Sequence, residues 1–131
     1  MDNTKDLPGY KYYVDPQTRE RPAIYVAFLD LAQDASSVTE GVVFPADADR
    51  LAQLDARERN YARVEVEVDP PTGGTTYAYL GTPEARARFE AGRRAKSVFV
   101  ARAYLDATNH STTPQPPPIR DLERVDLDPL D

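Results

Sequence analysis

The stretch Leu51-Ala-Gln-Leu-Asp-Ala-Arg-Glu-Arg-Asn-Tyr-Ala-Arg-Val-Glu-Val-Glu-Val68 changes period partway along, from helical to strand-like, and the fold class follows from that change. Its first half belongs to a helix predicted over Asp47 to Asn60. Acidic residues open that segment at the positive end of the helix dipole, and neither glycine nor proline follows Pro45 within it. From Ala62 to Val68, small or apolar residues alternate with charged ones, which predicts a strand with one buried and one wet face. A partner strand, Thr75-Thr-Tyr-Ala-Tyr-Leu80, follows the turn residues Pro70-Pro-Thr-Gly-Gly74. So short a connection cannot make a parallel crossover, so the two strands should form an antiparallel hairpin.

Working outward, Pro22-Ala-Ile-Tyr-Val-Ala-Phe-Leu29 is apolar, β-branched and aromatic, as in a strand buried on both faces. Val38-Thr-Glu-Gly-Val-Val-Phe44 reads as another strand, closed by Pro45. A second helix is expected from Thr82 as N-cap, through Pro83, to Gly92 as its stop, with Arg93 and Arg94 at the negative end of the dipole. A shorter helical turn fits Ala101 to Thr108. Together these elements predict an α+β fold: a small, mostly antiparallel sheet curled toward a barrel, the first helix at its mouth and the second outside.

The chain has 131 residues, room for one domain, and 40% are hydrophobic, enough for a core without staples. Three segments are expected: an irregular N-terminal segment over 1–22, the folded domain over 23–108, and a proline-rich acidic tail over 109–131. The tail combines Pro114, Pro116, Pro117 and Pro118 with five acids and two arginines, a composition that favours disorder. Ile119, Leu122, Val125 and Leu127 are the apolar set by which it could dock. A net charge of −6 argues against binding to a nucleic-acid backbone, which needs a basic face. No apolar run is long enough to span a bilayer, and the polar start lacks a signal-peptide core, so a cytoplasmic address is expected.

Glu58 is the residue out of place. At 100 degrees per residue from Leu51, Leu54 falls at about 300, Tyr61 at about 280 and Glu58 at about 340 degrees, which puts the acid inside the apolar stripe. A carboxylate carried inward loses hydration, and its pKa should rise unless a cation or N–H donors hold the charge. That is the behaviour a general base needs near neutrality. The plainer alternative puts Glu58 at the rim of the stripe, paired with Arg63 or Arg102. Asp55, at about 40 degrees, is an edge residue and the poorer candidate. Tyr61, Tyr79 and Tyr104 are placed to contact a substrate by their hydroxyls or to serve as core and rim aromatics.

Other chemistries lack their residues. Cysteine is absent and His110 is the only histidine, which leaves no Cys-His or Ser-His-Asp site and no zinc ligand set. The tail acids lack the spacing of a calcium loop. The run Arg86, Arg88, Arg93, Arg94 and Lys96 reads as a solvated helix face or as an attractor of an anionic substrate.

The ordered set Glu40-Gly-Val-Val-Phe44, Leu54-Asp-Ala-Arg-Glu-Arg-Asn-Tyr61, Arg63-Val-Glu-Val66 and Tyr79-Leu80 resembles the γ-glutamylcyclotransferase-like family over about residues 23 to 107. In that family the glutamate of L-D-x-x-E is the catalytic acid/base, so the resemblance carries that role onto Glu58, with Tyr61, Tyr79 and Tyr104 as candidate substrate contacts. It implies cyclisation of a γ-glutamyl amine or peptide to 5-oxoproline with release of the amine, and neither metal nor organic cofactor. The family also has an N-terminal strand and a Y-G-S-type loop that grips the substrate, and Met1 to Tyr25 contains no match to them. The expectation is that this part of the domain lies outside the chain, leaving a sheet edge to be covered by the tail or by a second copy in a homo-oligomer. The competing expectation is a non-catalytic remnant that acts as a binding or oligomerisation module.

Overall fold

The computed structural model describes residues 1–108 and 116–128. The predicted readings of His110 and of the first part of the proline-rich run fall outside them. The order of elements is β1 (Lys11–Val14), β2 (Tyr25–Val26), α1 (Ala48–Arg57), β3 (Tyr61–Val66), β4 (Thr76–Gly81), α2 (Pro83–Arg94), β5 (Val98–Ala101), α3 (Arg102–Thr108), β6 (Ile119–Arg120) and β7 (Glu123–Asp126). The fold is α+β. Its strands form three small sheets: antiparallel ladders β1-β7 and β3-β4, and a parallel sheet ordered β2-β5-β6. Among the described residues no sheet closes into the expected barrel.

Two compact units emerge. A terminal unit joins Met1–Leu29 to Arg86–Asp131, and a central unit comprises Asp30–Ala85. The terminal unit holds the main core: Tyr13, Ile24, Val26, Ala101 and Leu122, with Met1, Phe28, Phe99 and Tyr104 packed around them. Its middle strand β5 is buried at Val98, Val100 and Ala101, as expected of a strand with a parallel neighbour on each side. Asn3 is fully buried and fully engaged. Its amide donates to the carbonyls of Tyr13 and Pro22, its Oδ1 accepts from the Tyr13 N–H, and its backbone N–H bonds to Ile24.

The proline-rich end is the largest departure from the sequence reading. Residues 119–126 form β6 and β7, β7 pairs with β1 in register Tyr12↔Val125, and Leu122 is buried between the two short strands. The apolar set spaced through the tail supplies contacts that composition alone hides. At the other end, β1 lies inside the segment expected to be irregular.

In the central unit the hairpin forms as expected, with Tyr61↔Gly81 and Arg63↔Tyr79 opposite one another. Gly73, at φ 79, supplies left-handed backbone within its connection. Asp47 caps α1, its side chain accepting the Arg50 N–H at 2.8 Å. The helix stops at Arg57, short of the predicted Asn60. The strand expected at Val38–Phe44 is irregular, and Val38 and Val42 are 94% and 91% exposed. Only Tyr25–Val26 of the predicted strand 22–29 lies in a ladder.

Gly92 is no helix stop. α2 runs two residues beyond it, and Lys96, at φ 55, takes the left-handed conformation after the helix. Gly92 is needed for close packing: a Cβ there would lie 2.6 Å from Val98 Cγ2 and 3.0 Å from Tyr25 Cδ2.

Candidate functional site

The polar cluster of the central unit is built where α1 hands the chain to β3. Glu58 caps the helix. Its N–H closes the last helical bond to Leu54, and its carbonyl accepts the Tyr61 N–H that begins β3. Both backbone groups are thereby fixed, so the Cα of Glu58 is held at the mouth of a tight turn. Its backbone, at ψ 61, has already left the helix. Tyr61 is a strand residue, so its predicted place on the helical stripe does not hold, whereas Leu54 is buried as predicted.

The Glu58 side chain is 27% exposed, and its Oε1 lies 3.3 Å from Nε of Arg57. It is neither sealed in a core nor extended into solvent. The ion pair joins adjacent residues, and the arginine is mostly exposed, so its stabilising effect is small. The partners expected at the rim are engaged otherwise: Arg63 with Asp55, and Arg102 with Asp121.

Asp55, the residue discounted on the wheel, organises the cluster. Its Oδ1 accepts the Tyr79 hydroxyl at 2.6 Å, and its Oδ2 lies 3.3 Å from a terminal nitrogen of Arg63. Arg63 and Tyr79 face each other across the hairpin, so one carboxylate on α1 bridges a cross-strand pair. The Arg63 guanidinium also lies 4.7 Å from the centre of the Tyr77 ring. The Tyr79 hydroxyl is pushed up to about 12, first by desolvation, then by its bond to the Asp55 carboxylate; the negative charge of Glu58 adds to this and Arg63 opposes it. At neutral pH Tyr79 is therefore a neutral donor. The L-D spacing ahead of Glu58 and the hairpin register were the available signals for Asp55. They were missed because a wheel does not show what a helix packs against.

Of the sequence-predicted site residues, Glu58, Tyr61 and Tyr79 share the central unit, and the charge of Glu58 acts on Tyr79. Tyr104 belongs to the terminal unit. There its hydroxyl accepts the Leu29 N–H at 3.0 Å and its ring packs edge-on against Phe28, with centroids 5.1 Å apart. A cleft of about 590 Å³ lies in the terminal unit and is lined by none of these four residues. Among the described residues no group of three or more His, Asp or Glu side chains is placed to hold a metal ion, and no helix is long and apolar enough to cross a membrane.

No family model, curated protein or solved structure matches the chain.

Proposed function

We propose that the chain is γ-glutamylcyclotransferase-like, with Glu58 as the general acid/base in cyclisation of a γ-glutamyl amine or peptide. The observation that carries this reading is the half-buried Glu58 carboxylate, fixed by its backbone at the end of α1 and electrostatically coupled to the hydroxyl of Tyr79. The ordered resemblance around Leu54 to Tyr61 points to the same residue.

In the proposed reaction the substrate's α-ammonium gives a proton to Glu58, and the freed amine attacks the γ-carbonyl carbon of the same residue. A C–N bond closes the five-membered ring, the bond to the leaving nitrogen breaks as Glu58 returns its proton to that nitrogen, and the attacking nitrogen gives its second proton to the released amine, which departs as an ammonium. The products are 5-oxoproline and the free amine, and no water is consumed. One carboxylate suffices because the nucleophile belongs to the substrate, and ring closure benefits from its high effective molarity. Tyr79, kept neutral, and Tyr61 are assigned contacts to the γ-glutamyl group.

The test is release of 5-oxoproline from a set of γ-glutamyl amines and dipeptides by the wild type and Glu58→Gln. Turnover should fall by about 100-fold or more in the variant, the scale of a lost proton-transfer group. Equal turnover removes Glu58 from the mechanism. A second reading, a non-catalytic binding or oligomerisation module, is favoured by the exposure of Val38, Val42, Val43 and Phe44. Absence of 5-oxoproline from the wild type with every substrate would replace the first reading with the second.

A further inference from the structure

The terminal unit carries a second polar constellation, unrelated to Glu58. After β1 the chain turns through residues 15–20 and closes on itself. Oδ1 of Asp15 accepts the N–H groups of Gln17 and Thr18 at 2.8 and 2.9 Å, the Asp15 N–H bonds to the Glu20 carbonyl, and the Arg19 N–H returns to the Asp15 carbonyl. Self-bonded in this way, the turn makes a fixed rim for the cleft of about 590 Å³ lined by Asp15, Thr18, Glu20, Arg21, Pro22 and Arg120. That volume falls in the usual range for small-molecule sites.

The charged residues of this cleft divide into engaged and unengaged groups. Arg21 is committed to the fold: its guanidinium donates to the carbonyls of Asn3 and Lys5 and to the Asp6 carboxylate, and lies 4.2 Å from the centre of the Tyr12 ring. Oδ1 of the Asp15 carboxylate is occupied by the turn, and its charge is also favoured by the nearby Arg120. The side chain of Arg120, projecting from β6, lies 5.5 Å from the centre of the Phe99 ring, makes no hydrogen bond or ion pair among the described residues, and acts on the Asp15 carboxylate through its charge alone. The Glu20 carboxylate makes none either. One forked cation and one carboxylate therefore remain available on the same cleft.

We propose that this cleft binds the zwitterionic head of an α-amino acid. Arg120 takes the α-carboxylate through its paired donors, Glu20 takes the α-ammonium, and Pro22 offers an apolar wall to the side chain. The balance of charge selects this ligand class. A dianion such as phosphate would meet the two carboxylates, and a simple cation would meet the two arginines, whereas adjacent opposite charges satisfy both unengaged groups. The cleft is open to solvent, so affinity should be modest, with a Kd on the order of 1 mM.

The test is a titration of the whole chain followed by amide chemical shifts, with L-leucine, acetate, isopentylamine and inorganic phosphate as separate probes. L-leucine should give saturable shifts at Thr18, Glu20 and Arg120, and acetate and isopentylamine should each bind about tenfold more weakly. Arg120→Gln and Glu20→Gln should each weaken leucine about fivefold or more with the rest of the spectrum unchanged. If Arg120→Gln disturbs folding, its spectrum will show it, and the exposed Glu20→Gln carries the test alone. The proposal is overturned if leucine gives no saturable shift, if acetate or phosphate binds as tightly as leucine, or if a folded variant binds as the parent does.

Discussion

Two tyrosines show how a side chain's surroundings set its chemistry. Tyr13 is 5% exposed, and burial pushes its hydroxyl up to about 12 against the opposing charge of Arg124. Tyr79 reaches a similar value, again first by desolvation, here reinforced by the Asp55 acceptor. Each folded-state pKa lies above the unfolded value near 10, so the fold favours the protonated phenol. The stabilising contribution is fully present below about pH 10 and is lost as pH rises toward 12. For Tyr13 the two-unit difference corresponds to about 3 kcal/mol. A phenolate absorbance titration should therefore show Tyr13 and Tyr79 ionising late. Tyr13→Phe and Tyr79→Phe should each delete one late step, and Asp55→Asn should bring Tyr79 back toward an ordinary value. Persistence of both late steps in the two phenylalanine variants would assign them to other residues. Sequence offers no access to this pair, because the burial of Tyr13 depends on β7 and the acceptor for Tyr79 on where α1 places Asp55.

At the scale of elements, local signals were legible where short-range chemistry decides them. The hairpin β3-β4 follows from alternation and a short glycine-containing connection, and the start of α1 follows from Asp47. Endings were less legible. α1 stops at Arg57 because the turn through Glu58 to Tyr61 is already committed to β3, and α2 passes Gly92 because that glycine is used for packing against Tyr25 and Val98. The cap is the part of α1 that can be tested most directly. Asp47→Ala removes the acceptor for the Arg50 N–H and should cost about 1 kcal/mol, while Asp47→Asn should retain most of it. Amide exchange read along α1 should accelerate about fivefold in the alanine variant. Asp49, in the first turn, has only its favourable position on the dipole to lose, so Asp49→Ala should cost a few tenths of a kcal/mol. Equal acceleration in the Asp47→Ala and Asp49→Ala variants would mean that charge, not the capping bond, fixes the helix start.

For the whole molecule, the question is which apolar residues make the core, and here composition misleads in both directions. Val38–Phe44 has the apolar, β-branched character of a buried strand, yet its large side chains lie exposed, since a strand is stable only when a neighbour takes its backbone groups. Leu122 sits among acids beyond a proline-rich run and is 6% exposed, because β7 returns to β1 and carries it into a cluster with Tyr13, Ile24, Val26 and Ala101. Long-range pairing decides both cases, and a window of sequence carries no record of it. The contrast is measurable. Leu122→Ala should cost about 2–5 kcal/mol in urea unfolding, the range for truncating a buried leucine. Val42→Ala, at a side chain 91% exposed, should stay within about 0.5 kcal/mol. Comparable losses in the two variants would mean that something covers the 38–44 segment in solution. A negligible loss at Leu122 would mean that the terminal ladder does not hold the core, and the terminal unit would then have to be stabilised by β2, β5 and α3 alone.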